Sequence, residues 1–123
     1  MTGDIVLIPF APDMEDAVLD GILLEDGRRV FKDWTSRRKV YGRSGDLFPL
    51  RHHTYEIVEV FKATLAEVAE HHEREGFRSK EAFIARWREL HPRRGYDPEE
   101  RVWVHVFRPN ENVIIELSGD LNP

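Results

Sequence analysis

A strand signal runs directly into a helix start in the stretch Thr54-Tyr-Glu-Ile-Val-Glu-Val-Phe-Lys-Ala-Thr-Leu-Ala-Glu67. Apolar side chains fall on both faces of its first half, which predicts a strand from Thr54 to Phe61 that is covered on both sides. Thr64 and Glu67 have the spacing of a capping box, in which a hydroxyl and a carboxylate satisfy the free backbone amides of a first helical turn. A strand and a helix therefore meet here without a linker.

Downstream of this stretch, the pattern is helical and then returns to a strand. Apolar residues recur at helical spacing from Leu65 to His72, and Gly76 is placed to end that helix. Ser79 is placed to cap a second helix, which ends at His91-Pro92. The stretch from Glu99 to Arg108 then alternates three valines with larger rings, which predicts another strand buried on both faces.

Upstream, four further elements are predicted. Asp46 to Leu50 reads as the strand partner of Thr54 to Phe61, and the two glycines between Tyr41 and Asp46 mark a turn. Arg28 to Trp34 reads as an exposed strand or hairpin arm. Asp13 to Glu25 has a helical period, with Asp13 as its cap and Gly27 at its end. Asp4 to Phe10 is β-branched and apolar, which predicts a buried strand.

These elements indicate the α+β class, with a small mixed β-barrel or sheet and about three helices packed outside it. The chain of 123 residues has the size of a single domain, which we predict to cover residues 1–123. Residues 109–123 are predicted to form a C-terminal extension docked on this domain, because they still contain several large apolar side chains.

Composition excludes several classes of protein. Hydrophobic residues make up 41% and charged residues 33%, which is typical of a globular chain and not of a disordered one. Cysteine is absent, so disulfides, thiolate metal sites and a cysteine nucleophile are excluded. No apolar run has the length of a membrane span, and we predict a cytoplasmic protein with no membrane partner. Glutamine is absent and arginine outnumbers lysine 14 to 4, a thermophile-like composition.

Positive charge is concentrated in one segment of an otherwise acidic chain. The net charge is −5, yet the segment from Gly27 to Arg51 holds eight basic residues against two acids and carries +6. Phe31, Trp34 and Tyr41 are interleaved with these cations. Cations that attract phosphate beside rings that stack on bases are typical of proteins that bind single strands. The alternative is a solvated basic loop that pairs with the acidic helices.

The order and local sequence of these features resemble the ASCH domain, a PUA-like β-barrel family. The resemblance covers roughly Ala17 to Phe107. Its points of likeness are Leu-Glu-Asp-Gly27-Arg-Arg29, the Gly45-Asp46 turn, the strand from Glu56 to Val60, Gly76-Phe77-x-Ser79-x-x-x-Phe83, and Trp87-x-x-x-His91-Pro92 followed by Val102-Trp-Val-His-Val-Phe107.

The resemblance implies a cleft between barrel and helices that holds RNA or a nucleoside. PUA-like relatives are mostly RNA-binding modules, and some small ASCH proteins are hydrolases that remove an acyl group from a modified cytidine. In the family signature G-x-K-x-x-E-x-R, Gly27 matches the glycine, while Arg29, Lys32 and Trp34 stand at the other three positions. The hydrolases resemble this chain at Glu75 only, since Arg29 and Lys32 replace their Lys and Thr. A guanidinium does not accept a proton at ordinary pH, which argues against the same mechanism.

We therefore predict a basic cleft that binds single-stranded RNA or a modified nucleoside without a cofactor. Its predicted cations are Arg28, Arg29, Lys32, Arg37, Arg38 and Lys39, and its predicted stacking rings are Trp34 and Tyr41. The alternative is a small hydrolase acting on a modified nucleoside or on RNA, with Glu75 and Lys32 as its acid/base pair. A homo-oligomer is left open.

Histidines raise the question of a metal site. His71 and His72 precede Glu75, and His52 and His53 form a second pair. Adjacent histidines on a helix point about 100° apart and no full ligand set is present, so we predict no metal. His105, in a hydrophobic strand, reads as a hydrogen-bonded core histidine.

Overall fold

The computed structural model describes residues 3–115. In chain order its helices and strands are α1 (Pro12–Leu19), β1 (Ile22–Leu23), β2 (Arg29–Val30), β3 (Trp34–Arg37), β4 (Leu47–Leu50), β5 (His53–Thr64), α2 (Leu65–Glu70), α3 (Lys80–Leu90) and β6 (Arg101–Pro109). Four strands form an antiparallel sheet in the order β3-β6-β5-β4, and β1 and β2 form a separate hairpin. The sheet curls into a half-barrel, which confirms the predicted α+β class.

Strand β5 organises the sheet, because it pairs with β4 along one edge and with β6 along the other. The predicted pairing of the Asp46 to Leu50 strand with its neighbour is thereby confirmed. The register shifts at a bulge between Ile57 and Glu59. At the end of β5, the Thr64 Oγ1 accepts from the Glu67 amide at 3.2 Å and the Glu67 Oε1 accepts from the Thr64 amide at 2.8 Å. The predicted capping box is therefore confirmed.

Helix α3 begins as predicted, with the Ser79 Oγ accepting from the Ala82 amide at 3.0 Å. Regular α2 ends at Glu70, and tight turns then continue to Gly76, which has a φ of +94°. This connection docks on the start of β3, because the Arg74 carbonyl accepts from the amides of Asp33 and Trp34 at 3.0 and 2.9 Å. The chain before α3 is thus fixed against the first residues of β3.

Two hydrophobic clusters cover the sheet. The first packs α2 and α3 against it and includes Trp34, Val104 and Phe83. The second lies under α1 and includes Phe48 and Phe107. Because Val104 and Phe107 belong to opposite faces of β6, the prediction that this strand is buried on both sides is confirmed.

The predicted helix from Asp13 to Glu25 was wrong in its second half and at its cap. Gly21 adopts a φ of +79° two residues after Leu19, the end of α1, and the chain then enters the hairpin of β1 and β2. The N-cap is Ala11, which makes no side-chain cap bond, and Asp13 lies in the first turn. Gly27 lies in the hairpin turn.

The predicted strand from Asp4 to Phe10 was also wrong. The segment forms one parallel bridge, at which the Val6 amide donates to the Leu47 carbonyl and the Leu47 amide donates to the Asp4 carbonyl, both at 2.8 Å. The next donor in a parallel ladder would be the amide of Pro49, which has no N–H. The pairing stops there, and the side chains of Ile5 and Leu7 are 58% and 68% exposed.

The predicted exposed arm from Arg28 to Trp34 is exposed only in part. Arg29 and Val30 form the short β2, while Lys32 and Trp34 are buried. The side chains become buried from Lys32 onward because the chain there leaves the hairpin and enters the sheet.

Part of the predicted C-terminal extension is described. The Asn110 amide donates to the Thr54 carbonyl at 2.8 Å, and its side-chain amide donates to the Glu56 Oε1 at 3.2 Å. Residues 116–123, with Leu117, lie outside the described residues, so docking of the whole extension stays a prediction. No helix within residues 3–115 has the length and apolar character of a membrane span.

Replacing Gly76 by Ala should destabilise the fold more than replacing Gly27 by Ala. Both glycines have a φ above +90°, where a side chain costs about 1–2 kcal/mol. A Cβ on Gly76 would lie 3.1 Å from the Ala17 Cβ and 3.2 Å from the Lys32 Cδ, whereas one on Gly27 meets nothing within 4 Å. Overpacking should add about 1–3 kcal/mol to the stability loss of Gly76→Ala only. Urea unfolding of both variants measures the difference, and equal losses would contradict the tight contact with Lys32.

Candidate functional site

A cavity of about 540 Å³ opens between β3, the N-terminal segment and α3. This volume is within the range of small-molecule sites. Glu75 is the one carboxylate in its lining within the described residues. Six aromatic or imidazole rings line it, namely Phe10, Tyr41, Phe77, Phe83, Trp87 and His91, and its cations are Lys32, Arg37, Arg38, Lys39 and Arg86.

The floor of the cavity contains a buried ion pair. Lys32 and Glu75 are 4% and 3% exposed, and the Lys32 Nζ lies 3.6 Å from the Glu75 Oε1. The same Nζ donates to the backbone carbonyls of Trp34 at 2.7 Å and Glu75 at 2.6 Å. Burial lowers the pKa of Lys32, and the Glu75 carboxylate opposes that shift. An amine in this environment is closer to releasing its proton than a lysine in water.

A hydroxyl completes this polar floor. The Ser36 Oγ donates to the Glu75 Oε2 at 2.5 Å, so each carboxylate oxygen of Glu75 has its own partner. The neighbouring Thr35 Oγ1 accepts from the Arg37 Nε at 2.9 Å. Strand β3 and its approach therefore supply four polar residues of the cavity, Lys32 and Thr35 to Arg37. Carboxylate, hydroxyl and amine in contact are the components of acid/base chemistry.

Arg37 is held against two rings. Its Cζ lies 5.2 Å from the ring centroids of both Phe10 and Tyr41, and its Nη2 donates to the Pro9 carbonyl at 2.7 Å. Burial lowers the pKa of Arg37, but a guanidinium starts so high that it stays charged. The cation is therefore fixed in place by stacking and hydrogen bonds.

His105 positions Tyr41 from beneath. Its Nδ1 lies 3.1 Å from the Thr35 carbonyl, which can only accept, so Nδ1 carries the proton. Its Nε2 then accepts from the Tyr41 amide at 3.1 Å. Burial lowers the pKa of His105 and favours this neutral form. The predicted hydrogen-bonded core histidine is confirmed, and it fixes the loop that carries Tyr41.

The cations at the mouth of the cavity differ in their partners. Arg38 pairs with Glu100 at 3.3 Å, and Arg86 makes two bonds to Asp13 at 2.6 and 2.9 Å. Lys39 is exposed, with its Nζ 5.1 Å from the Tyr41 ring centroid. The mouth therefore combines neutralised arginines with one hydrated lysine.

The structure brings six of the predicted site residues together at the cavity and separates three from it. Lys32, Arg37, Arg38, Lys39, Tyr41 and Glu75 all line the cavity. Arg28 pairs instead with Asp26 at 2.8 Å, and Arg29 donates to the Asp20 carbonyl at 2.9 Å. Trp34 is 7% exposed and packs in the first hydrophobic cluster, with its ring edge-to-face on Phe61.

Sequence reasoning missed the aromatic walls. Phe83 and Trp87 follow the apolar spacing of α3 and carry the same signal as any core residue, although they face both core and cavity. Trp87 stacks on His91 with centroids 4.3 Å apart. A histidine one turn after a tryptophan was the available signal for this wall. Among residues 3–115, no group of three or more His, Asp or Glu side chains is arranged to hold a metal ion.

The cavity lies between a small antiparallel half-barrel and its helices. A search of solved structures finds the crystal structure of an ASCH domain from Lactobacillus crispatus JV V101 with a TM-score of 0.54 and 15% sequence identity. The match covers 86% of this chain and 79% of that chain. The fold is ASCH-like, which confirms the predicted resemblance. No family model matches the chain, and a search of curated proteins finds no significant match.

Acid should destabilise the protein through His105. Its folded-state pKa lies below the ordinary 6.5, so its contribution to stability is present above pH 6.5 and is lost as pH falls through the folded value. Protonated Nε2 would face the Tyr41 amide donor to donor. We expect the unfolding free energy to fall by up to about 1.4 kcal/mol per pH unit from this group.

NMR titration of the imidazole resonances of the wild type measures the pKa of His105 directly. The Tyr41 amide resonance should shift at the same pH. The exposed His52 provides the control, because His52→Gln should leave the acid-induced shift of the Tyr41 amide resonance in place. A His105 pKa at or above 6.5 would contradict the neutral assignment.

Proposed function

We propose that the protein binds a single nucleoside or nucleotide, free or presented by single-stranded RNA, in this cavity. The observation that carries the proposal is a cavity with aromatic walls and a polar floor at Lys32, Ser36 and Glu75. A nucleobase has apolar faces and a hydrogen-bonding edge, so such walls complement the faces and such a floor complements the edge. The ASCH-like fold supports the same ligand class through the family resemblance.

The distribution of charge supports a site for one nucleotide in place of a long track for a strand. The +6 segment predicted as a basic cleft is divided, because Arg28 and Arg29 lie in or beside the β1–β2 hairpin while Arg37 to Lys39 line the cavity. Single-stranded RNA would then enter the site through one base, with its backbone at the exposed mouth. A cytoplasmic location stays part of this proposal.

A second candidate function is hydrolysis of an acyl group from a modified nucleoside. It is favoured by the contact of Lys32 with Glu75. When the family signature is aligned three residues further along the chain, Lys32 stands at its lysine, Thr35 at the hydrolase threonine and Arg37 at its arginine. Arg29, at the lysine position of the earlier register, lies outside the cavity. In this reading, Glu75 accepts a proton from the attacking hydroxyl or water and Lys32 donates to the leaving nitrogen.

Ser36→Ala should weaken nucleoside binding about threefold to tenfold, because one hydrogen bond of the floor contributes about 0.5–1.5 kcal/mol. This variant leaves the Lys32–Glu75 pair in place. Its matched control is Ser44→Ala, which removes an exposed hydroxyl that donates to the Val58 carbonyl. Isothermal titration of both variants and the wild type with cytidine and N4-acetylcytidine, and with a short single-stranded RNA at two salt concentrations, measures the effect. Binding of none of these ligands by the wild type would overturn the proposed function.

The hydrolase candidate predicts that the protein releases acetate and cytidine from N4-acetylcytidine. Chromatography measures this release. The double variant Lys32→Met/Glu75→Gln removes both charges together, which avoids a buried unpaired charge. It should fold, bind cytidine more weakly because two groups of the floor are changed, and lose turnover at saturating substrate at least a hundredfold, within the range that acid/base groups contribute. Binding without any turnover by the wild type would reject the hydrolase and leave the binding function in place.

A further inference from the structure

We infer that the ligand of the cavity carries a negative charge, supplied by a phosphate on the nucleoside, and that Arg37 binds this phosphate. The inference rests on the proposed function and narrows its ligand class. It starts from the charges that line the cavity, because a half-buried cation without a counter-ion carries a desolvation cost that an anionic ligand would offset.

Most lining cations already have an acidic partner. Lys32 lies 3.6 Å from Glu75, Arg38 lies 3.3 Å from Glu100, and Arg86 is bonded to Asp13. Arg37 differs, since none of the residues 3–115 places a carboxylate within 4 Å of its guanidinium. Arg37 therefore has no carboxylate partner of its own, because Glu75, the lining acid that acts on it, is already paired with Lys32.

The guanidinium also has donors left to offer. It has five N–H groups, of which one donates to Thr35 and another to the Pro9 carbonyl. The rings of Phe10 and Tyr41 contact it and fix its plane. A planar fork held in one orientation, with unused donors at a cavity wall, matches the bidentate geometry in which arginine binds phosphate.

Position relative to the floor supports a phosphorylated nucleoside over a lone anion. Ser36 and Arg37 are neighbours on β3, and Ser36 reaches Glu75 in the α2–α3 connection while Arg37 reaches Pro9 in the N-terminal segment. The polar floor and the Arg37 guanidinium therefore lie on different sides of one cavity. A ligand that contacts both needs a neutral polar end and an anionic end, as a nucleotide has. The exposed Lys39, beside the Tyr41 ring, adds a second cation near the same end.

The test is isothermal titration of the full chain with cytidine, cytidine 5′-monophosphate and a short unphosphorylated single-stranded RNA. Wild-type protein should bind the monophosphate at least tenfold more tightly than the nucleoside, and added salt should reduce that preference. If the monophosphate is preferred over cytidine and the RNA binds more tightly still, the bound anion is a backbone phosphate of the strand.

Arg37→Gln should lower the affinity for the monophosphate at least tenfold and change the affinity for cytidine less than twofold. Arg37→Lys should recover only part of the loss, because an ammonium lacks the planar fork. Arg29→Gln is the matched control, since it removes a cation of the same basic segment that lies outside the cavity. It should change neither affinity.

Three outcomes would count against the inference. Equal wild-type affinity for cytidine and its monophosphate would overturn it while leaving the proposed function intact. An equal loss of affinity for cytidine and for its monophosphate in Arg37→Gln would assign Arg37 a structural role. Binding of neither ligand would overturn the proposed function itself. The wild-type comparison needs no variant, so a failure of Arg37→Gln to fold does not prevent the test.

Discussion

The buried contact between Lys32 and Glu75 joins parts of the chain that are 43 residues apart. Removing two charges from water is expensive, and their attraction offsets the cost only when the remaining donors and acceptors are satisfied. Here the Lys32 Nζ has two carbonyl partners and the Glu75 carboxylate has the Ser36 hydroxyl. The start of β3 and the turns before α3 are therefore held together by a polar cluster, and the positions of the cavity floor and of α3 depend on it.

Folding alone does not account for charges at this place. An apolar pair of similar volume would fill the space without a desolvation cost, and such replacements are often neutral or stabilising. The surrounding backbone adds a further constraint, because Gly76 must keep a positive φ beside the Lys32 side chain. A cluster that is costly, tightly packed and placed at the floor of a cavity supports the proposed binding site.

Local signals in the sequence predicted the elements whose ends are set by neighbouring residues. Thr64 and Ser79 cap their helices through side chains that sit within three residues of their partners, and β5 and β6 carry their own alternation. The prediction for Asp4 to Phe10 failed because its pairing depends on Pro49, which is distant in sequence. Site prediction has the same limit. Charge density located Arg37 to Lys39, and the family resemblance paired Lys32 with Glu75, but only the fold separates Arg37 to Lys39 from Arg28 and Arg29.

The walls of the cavity belong to both hydrophobic clusters. Phe83 and Trp87 pack in the cluster under α3, while Phe10 stacks on Phe48 of the other cluster with centroids 6.1 Å apart. Moving either wall would disturb a hydrophobic cluster, so a change in the shape of the cavity would cost packing energy. A preformed site loses little conformational entropy on binding and selects ligands by shape and charge. Discrimination then depends on the few polar groups that the rigid walls hold in place, the floor around Glu75 and the guanidinium of Arg37.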